Sequence, residues 1–257
     1  MIHVGTSGFV YKHWKGIFYP ADLPAKQWLA RYAAEFQTVE LNNTFYRLPT
    51  ADAVDGWRRG SPARFVFAVK GSRYLTHVKR LKDATTGVDR FFDVVRRLGP
   101  KLGPVLWQLP PKMRPDLDRL ETFLRALPRG VKRAFEFRDA AWYSEEVCDV
   151  LDRHRAAFCE HDLVRGPDGA ALRPPRLTGG FRYVRFHGWT GKYEGRYGTE
   201  GLLPWARDLA SAGLESWVYF NNDIGGHALV DARALLELLG RSVKFPAAAA
   251  PDPRCSP

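Results

Sequence analysis

Residues 38–47 read TVELNNTFYR, inside the longer run QTVELNNTFYRLP. Val39 and Leu41 alternate with Glu40 and Asn42, the period-two pattern of an extended chain. One face of this strand is apolar, while the other carries a carboxylate and an amide. The run then leaves the pattern at Asn43 and Thr44, which offer local turn hydrogen bonds, and ends in the aromatic pair Phe45 and Tyr46.

Seven further segments read as short strands: residues 2–5, 65–70, 105–109, 134–138, 157–162, 183–187 and 217–221. Most are apolar on at least one face, as parallel strands covered by helices are. Stripes of helical period lie between them. Trp28, Leu29, Tyr32, Ala33 and Phe36 form one, and Val88, Phe91, Phe92, Val95 and Leu98 another. Leu117, Leu120, Phe123, Leu124 and Leu127 form a third, and Leu229, Ala232, Leu235, Leu236 and Leu239 the last. Asp116 and Ser144 are expected N-caps. Eight strand–helix units in 257 residues predict an α/β fold, a (β/α)8 TIM-type barrel. One unit departs from the rule. Residues 163–180, LVRGPDGAALRPPRLTGG, are too rich in Gly and Pro for a full helix, so a loop is expected after strand six. The domain is expected to be single over residues 1–245, with a flexible low-complexity tail over 246–257.

In such a barrel, alternate strand residues face inward. Phe135 and Phe137 then face helices, and Glu136 and Arg138 face in. Val184 and Phe186 face out, and Arg185 and His187 face in. Lys70 faces in at the end of its strand, Gln108 shares a face with Leu106, and Asn221 shares one with Trp217 and Tyr219. His3, Gly5 and Ser7 share a face. In AFCEHD either Glu160 and Asp162 point in or His161 does. Glu40 and Asn42 thus join a polar set near the C-terminal strand ends, where barrel enzymes build their sites. Buried charges must pair or bind something. One reading is a self-satisfied network of Glu40 and Glu136 with Arg138, Arg185 and Lys70. The preferred one is a ligand site, because so many strands carry polar residues at the same end.

The loops add candidates. Residues 5–20, GTSGFVYKHWKGIFYP, interleave Tyr11, Trp14, Phe18 and Tyr19 with Lys12, His13 and Lys15. Aromatics among lysines suit stacked bases or sugars beside phosphates, or simply a packed lid. Residues 71–82, GSRYLTHVKRLK, form the densest basic patch, with Arg73, His77, Lys79, Arg80 and Lys82. Gly188, Gly191, Gly225 and Gly226 follow strands seven and eight, where barrels frequently bind phosphate. The expected catalytic residues are therefore Glu40, Lys70, Glu136, Arg138, Arg185 and His187. Asn42, Tyr46, Trp14, His77, Gln108, Trp142, Asn221, Gly188 and Gly225 are the expected substrate contacts. Glu136, His161, Asp162 and His187 would be mixed metal ligands if they converged, but no tight ligand spacing supports this, and no metal is assigned. No nucleotide-binding or nucleophile-elbow motif occurs, and the cofactor stays unknown.

The formal charge of +11 attracts polyanions. The expected partner is a phosphorylated small molecule or nucleic acid. No apolar run reaches membrane-span length, so no membrane partner is expected. Three scattered cysteines and the absence of a leader pattern before Ile2 point to a cytoplasmic setting.

The segments GTSGFVYKHWKGIFYP, VELNNTFYRLP, FAVKGSRYLTH, VLWQLPP, FEFRDAAW, YVRFHG and FNND occur in this order. Together they resemble the YecE-like family, domain of unknown function seventy-two, over about residues 2–240. Phe9 stands where that family usually has Trp, and Asp139 where His is frequent. The resemblance implies a (β/α)8 barrel and little about reaction. Three functions compete. The first is an enzyme acting on a phosphorylated substrate, nucleic acid or nucleotide, with Glu40 or Glu136 as general base, His187 as general acid and the cations neutralising phosphate. The second is a non-catalytic nucleic-acid-binding protein. The third is a sugar-phosphate isomerase or lyase, with Lys70 as a Schiff-base or proton-transfer residue.

Overall fold

The computed structural model describes residues 1–190 and 193–240. Gly191 and the segment beyond Gly240, including the expected tail, lie outside the described residues. The strands are β1 (Ile2–Thr6), β2 (Thr38–Leu41), β3 (Val66–Lys70), β4 (Leu102–Gln108), β5 (Arg133–Glu136), β6 (Ala156–Phe158), β7 (Glu160–His161), β8 (Arg182–Phe186) and β9 (Ser216–Phe220). They form two parallel sheets, ordered β1-β9-β8-β7 and β2-β3-β4-β5-β6. The expected sixth strand is thus two. Residues through Phe158 pair with β5, while Glu160 and His161 pair with β8, so the chain changes neighbours at Cys159. At the other edges of the sheets, Ser7 forms a single parallel bridge with Glu40.

The helices are α1 (Trp28–Ala33), α2 (Asn43–Tyr46), α3 (Ala51–Arg59), α4 (Thr85–Val95), α5 (Leu117–Ala126), α6 (Glu145–Arg153), α7 (Gly198–Ser211) and α8 (His227–Leu238). All four expected stripes begin on helices and run one to three residues past their ends, and their apolar faces pack with the outward strand residues Val39, Phe67, Trp107, Phe135, Val184 and Val218. Asp116 caps α5, its carboxylate accepting from the Arg119 N–H at 3.0 Å. Ser144 occupies the corresponding position of α6, but its side chain bonds no backbone N–H there. Asn43–Tyr46, expected as loop, close one helical turn instead. The Thr44 hydroxyl lies 2.9 Å from the Leu41 carbonyl and 2.7 Å from that of Lys70, which fastens α2 across the ends of β2 and β3. Between β7 and β8 no helix forms; Arg165 and Ala171 make an antiparallel bridge there.

A second cluster lies on the opposite strand faces. Ala68, Leu106, Ala134 and Ala157 from one sheet pack with Tyr183, Trp217 and Tyr219 from the other. These are the period-two partners of Lys70, Gln108, Glu136 and Arg185, so the expected inward faces are the faces that the sheets turn toward each other. Alternation also settles AFCEHD. Ala157 and Cys159 belong to this cluster, so His161 shares their face, while Glu160 turns away and pairs with Arg182 at 2.9 Å.

β1 approaches β2 closely because residue 5 is glycine. A Cβ on Gly5 would overlap the Thr38 carbonyl oxygen, a backbone atom that cannot rotate away. Gly5→Ala is therefore expected to destabilise by about 1–3 kcal/mol, as overpacking does. Gly56, inside α3 with open space around it, is the contrasting site. Gly56→Ala is expected to stabilise by up to about 1 kcal/mol through helix propensity. Urea unfolding of both variants measures the difference.

Candidate functional site

Arg185 of β8 is fully buried and reaches both sheets. Its Nη2 donates to Glu40 Oε1 at 2.8 Å, and its Nη1 to Glu136 Oε2 at 2.5 Å. Glu40 also accepts from the Ser7 hydroxyl at 2.7 Å and the Tyr183 hydroxyl at 2.6 Å. Glu136 accepts from Arg138 Nε on its remaining oxygen. Burial raises the carboxyl pKa of Glu136, but the guanidinium groups of Arg138 and Arg185 outweigh it and hold the group well below the carboxylate range. Both oxygens of each carboxylate are occupied. The two glutamates act as counter-ions here, and neither offers the open, proton-accepting oxygen of a general base.

His187 likewise differs from the expected general acid. Burial is the largest influence on it and lowers its pKa to about 3, so the ring is neutral. Its Nε2 lies 3.2 Å from Arg138 Nη2 and 3.1 Å from Arg185 Nη1. Both partners are obligate donors, so Nε2 accepts and the proton sits on Nδ1. Nδ1 donates to Asp162 at 3.2 Å, and Asp162 also accepts from the Tyr197 hydroxyl. His187 thus holds Arg138 in place and, as a neutral ring, has no imidazolium proton to release near neutral pH. His161 takes the opposite tautomer. Its Nε2 donates to the Phe137 carbonyl at 2.7 Å, and its Nδ1 accepts from Leu163 N–H at 3.2 Å. Glu136, His161, Asp162 and His187 are therefore bonded to protein partners. Among the described residues no group of three or more His, Cys, Asp or Glu is arranged to hold a metal ion.

Above this network opens a cavity of about 530 Å³. Its lining includes Tyr11 and Gly8 after β1, Asn42 and Tyr46 after β2, Lys70 ending β3, and Asn221 and Asp223 after β9. Lys70 is the one member of the expected catalytic set that lines it. The side chain is only 8% exposed, and Nζ sits 4.3 Å from the centre of the Phe45 ring. Among the described residues no carboxylate lies within ion-pair distance of it, because Arg185 and Arg138 already engage Glu40 and Glu136. Burial, then the charge of Arg185, lowers its pKa to about 7.

The expected contacts divide. Asn42, Tyr46 and Asn221 line the cavity. His77 stands beside it, its ring 5.0 Å from Phe45. Burial, and then the cations Arg73, Lys70, Arg138 and Arg80, lower its pKa to about 4. Trp14 and Trp142 are buried and belong to the packing. The Trp14 indole donates to the Asp223 carbonyl at 3.0 Å, and that of Trp142 to the Met113 carbonyl at 2.6 Å. Gln108 is buried and bonds the Leu109 carbonyl. Gly188 donates its N–H to the Tyr197 hydroxyl at 2.7 Å, and Gly225 turns the chain before α8 with φ +67°. Tyr183, Tyr197 and Asp223 were not legible as site residues. Tyr183 shares the face of Arg185 by simple alternation, the one signal that would have found it. Burial raises the pKa of Asp223.

The comparisons with known proteins agree with this frame. Residues 3–255 match the family model described as "Protein of unknown function DUF72", and the chain belongs to that family. It is 28% identical to the UPF0759 protein YunF of Bacillus subtilis, across 93% of this chain and 95% of that one. It is 27% identical to the UPF0759 protein YecE of Escherichia coli K12, across 56% of this chain and 51% of that one. A DUF72 protein of Thermotoga maritima of known structure superposes with a TM-score of 0.84 at 30% identity, covering 94% of this chain and all of the other. A DUF72 protein of Enterococcus faecalis shares the fold with a TM-score of 0.80 at 18% identity, covering 97% of this chain and all of the other. Among the described residues no helix is long and apolar enough to cross a membrane.

Two outcomes test the network. Arg185→Met leaves two buried carboxylates short of a counter-ion, and a loss of about 3–5 kcal/mol is expected in denaturant unfolding. His187 is expected to stay neutral on acidification to about pH 5, with its proton on Nδ1, as read by nitrogen NMR of the ring. Its folded pKa lies below that of the unfolded chain, so the unfolded state binds more protons between the two values. Stability therefore falls as pH drops from about 6.5 toward 3.

Proposed function

We propose that this member of the DUF72 family is an enzyme acting on a small phosphorylated carbonyl compound, with Lys70 as the reacting amine. The observation that carries the reading is Lys70 itself: a nearly buried lysine at a strand end, lining a cavity, with no carboxylate among the described residues in ion-pair distance, and with a pKa of about 7. A lysine so placed has a sizeable unprotonated, nucleophilic fraction near neutral pH. Its amine would add to the carbonyl carbon, and loss of water would give the imine. The protonated imine then withdraws electrons from the adjoining carbons, which permits proton removal or carbon–carbon cleavage there. Asp223, whose carboxyl is raised by burial and which lines the same cavity, is placed to exchange the protons. Arg73, Arg80 and Arg138, the cations felt at His77, favour a phosphorylated substrate over a neutral one.

The reading takes the two sheets as arcs of one (β/α)8 barrel. Two seams support this. Only Cys159 separates β6 from β7, and Ser7 bridges to Glu40 at the other edge. Lys70, Asn42, Tyr46, Asn221 and Asp223 would then ring the C-terminal mouth, where barrel enzymes carry their chemistry.

Borohydride reduction in the presence of glyceraldehyde 3-phosphate tests the assignment. A mass adduct on Lys70 is expected, its yield rising with pH around a midpoint of about 7. Lys70→Ala should remove the adduct, and glyceraldehyde without its phosphate should give much less. An adduct spread over surface lysines, or equal labelling by both aldehydes, would overturn the proposal.

A further inference from the structure

Parallel strands deliver all their C-terminal ends to one side of a sheet, and the loops that follow share that side. Six of the ten exposed large apolar side chains among the described residues lie on the three loops after β1, β2 and β3. They are Val10, Ile17, Tyr46, Leu48, Tyr74 and Val78. Tyr46 is 77% exposed and Tyr74 52%. A soluble surface seldom gathers apolar groups in this way unless something binds there. The same loops, residues 7–20, 42–50 and 71–84, carry seven Lys and Arg against one acid, Asp83. The whole chain has 39 against 28, so the excess of cations over acids is larger here, chiefly because acids are scarce. Asp83 is already taken by Lys79 at 3.7 Å.

We infer that these three loops bind a single-stranded nucleic acid, its bases stacking on Tyr46 and Tyr74 and its phosphates lying on Arg73, Arg80 and Lys82. The chemistry selects this partner. Stacking platforms beside a cationic track are how single strands are held without sequence preference. A duplex hides its base faces and would use the cations alone. An acidic peptide or an anionic lipid surface matches the charge but leaves the two tyrosine rings without flat partners. Tyr46 also lines the cavity that holds Lys70, so the bound strand would pass over its mouth. This surface shares Arg73, Arg80 and Tyr46 with the proposed substrate site, but strand binding does not require the lysine chemistry. Strand binding is read by titration, and the amine by reductive trapping, so either can fail alone.

The experiment is a fluorescence anisotropy titration with a labelled oligothymidylate of about 15 nucleotides, near the upper site size for such surfaces. The competitors are the matching duplex, polyglutamate and vesicles containing phosphatidylserine. Preference for the single strand over all three is expected. Tyr46→Ala and Tyr74→Ala should each weaken binding about tenfold. Arg73→Ala combined with Lys82→Ala should flatten the salt dependence by about one to two units of log–log slope. All four side chains are exposed or on loops, so the variants are expected to fold, and circular dichroism checks this. Absence of binding, equal affinity for duplex or polyglutamate, stronger binding to the vesicles, or indifference to both tyrosine changes would each overturn the inference.

Discussion

The Arg185 guanidinium, held between Glu40 and Glu136, joins strands from the two sheets in a space without water-exposed atoms. Glu40 belongs to β2, Glu136 to β5 and Arg185 to β8, so one side chain links residues far apart in sequence. Charges this deeply buried persist only when each is matched, and their matching fixes what the neighbours do. Ser7 and Tyr183 complete the shell of Glu40, and Arg138 completes that of Glu136. His187 then has two guanidinium donors against one ring nitrogen, which dictates its tautomer and its neutrality. The chemistry of the region follows from how these charges are assigned.

That assignment leaves Lys70 over. With both glutamates committed to arginines, no carboxylate among the described residues lies within ion-pair distance of Lys70; its Nζ sits over the Phe45 ring, and burial favours the neutral amine. The network and the cavity are thus complementary. Below, ionised groups neutralise one another and make a rigid floor. Above, one amine faces an open volume bounded by amides, aromatics and Asp223. A lysine paired with a nearby carboxylate would be an ordinary cation, so the reactivity proposed for Lys70 depends on Arg185 outcompeting it for Glu40 and Glu136.

Much of this was legible in the residues. Alternation placed Glu40, Glu136, Arg138, Arg185 and His187 on common faces, because a strand's period of two is a local property of its backbone. It did not reveal pairing, which depends on distances between strands many residues apart. Trp14 and Trp142 show the same limit. As aromatics in loops they suited a ligand, yet each packs inward and spends its indole N–H on a backbone carbonyl. Tyr46, in the same kind of sequence context, remains exposed at the cavity. Ser144 had the right residue type for a cap without the side-chain bond, while Asp116 had both.

The sequence alone determined the parallel strands, the helices between them, the missing helix after the sixth strand and the charged faces. Each of these follows from periodicity and from the local preferences of Gly, Pro and apolar residues. Only the tertiary structure decided which carboxylate meets which guanidinium, that the sixth strand changes partner at Cys159, and that no carboxylate among the described residues lies within ion-pair distance of Lys70. Local sequence sets which way a side chain points. Its protonation and availability are set by burial and by the other charges within a few ångströms, which the fold brings together from distant parts of the chain.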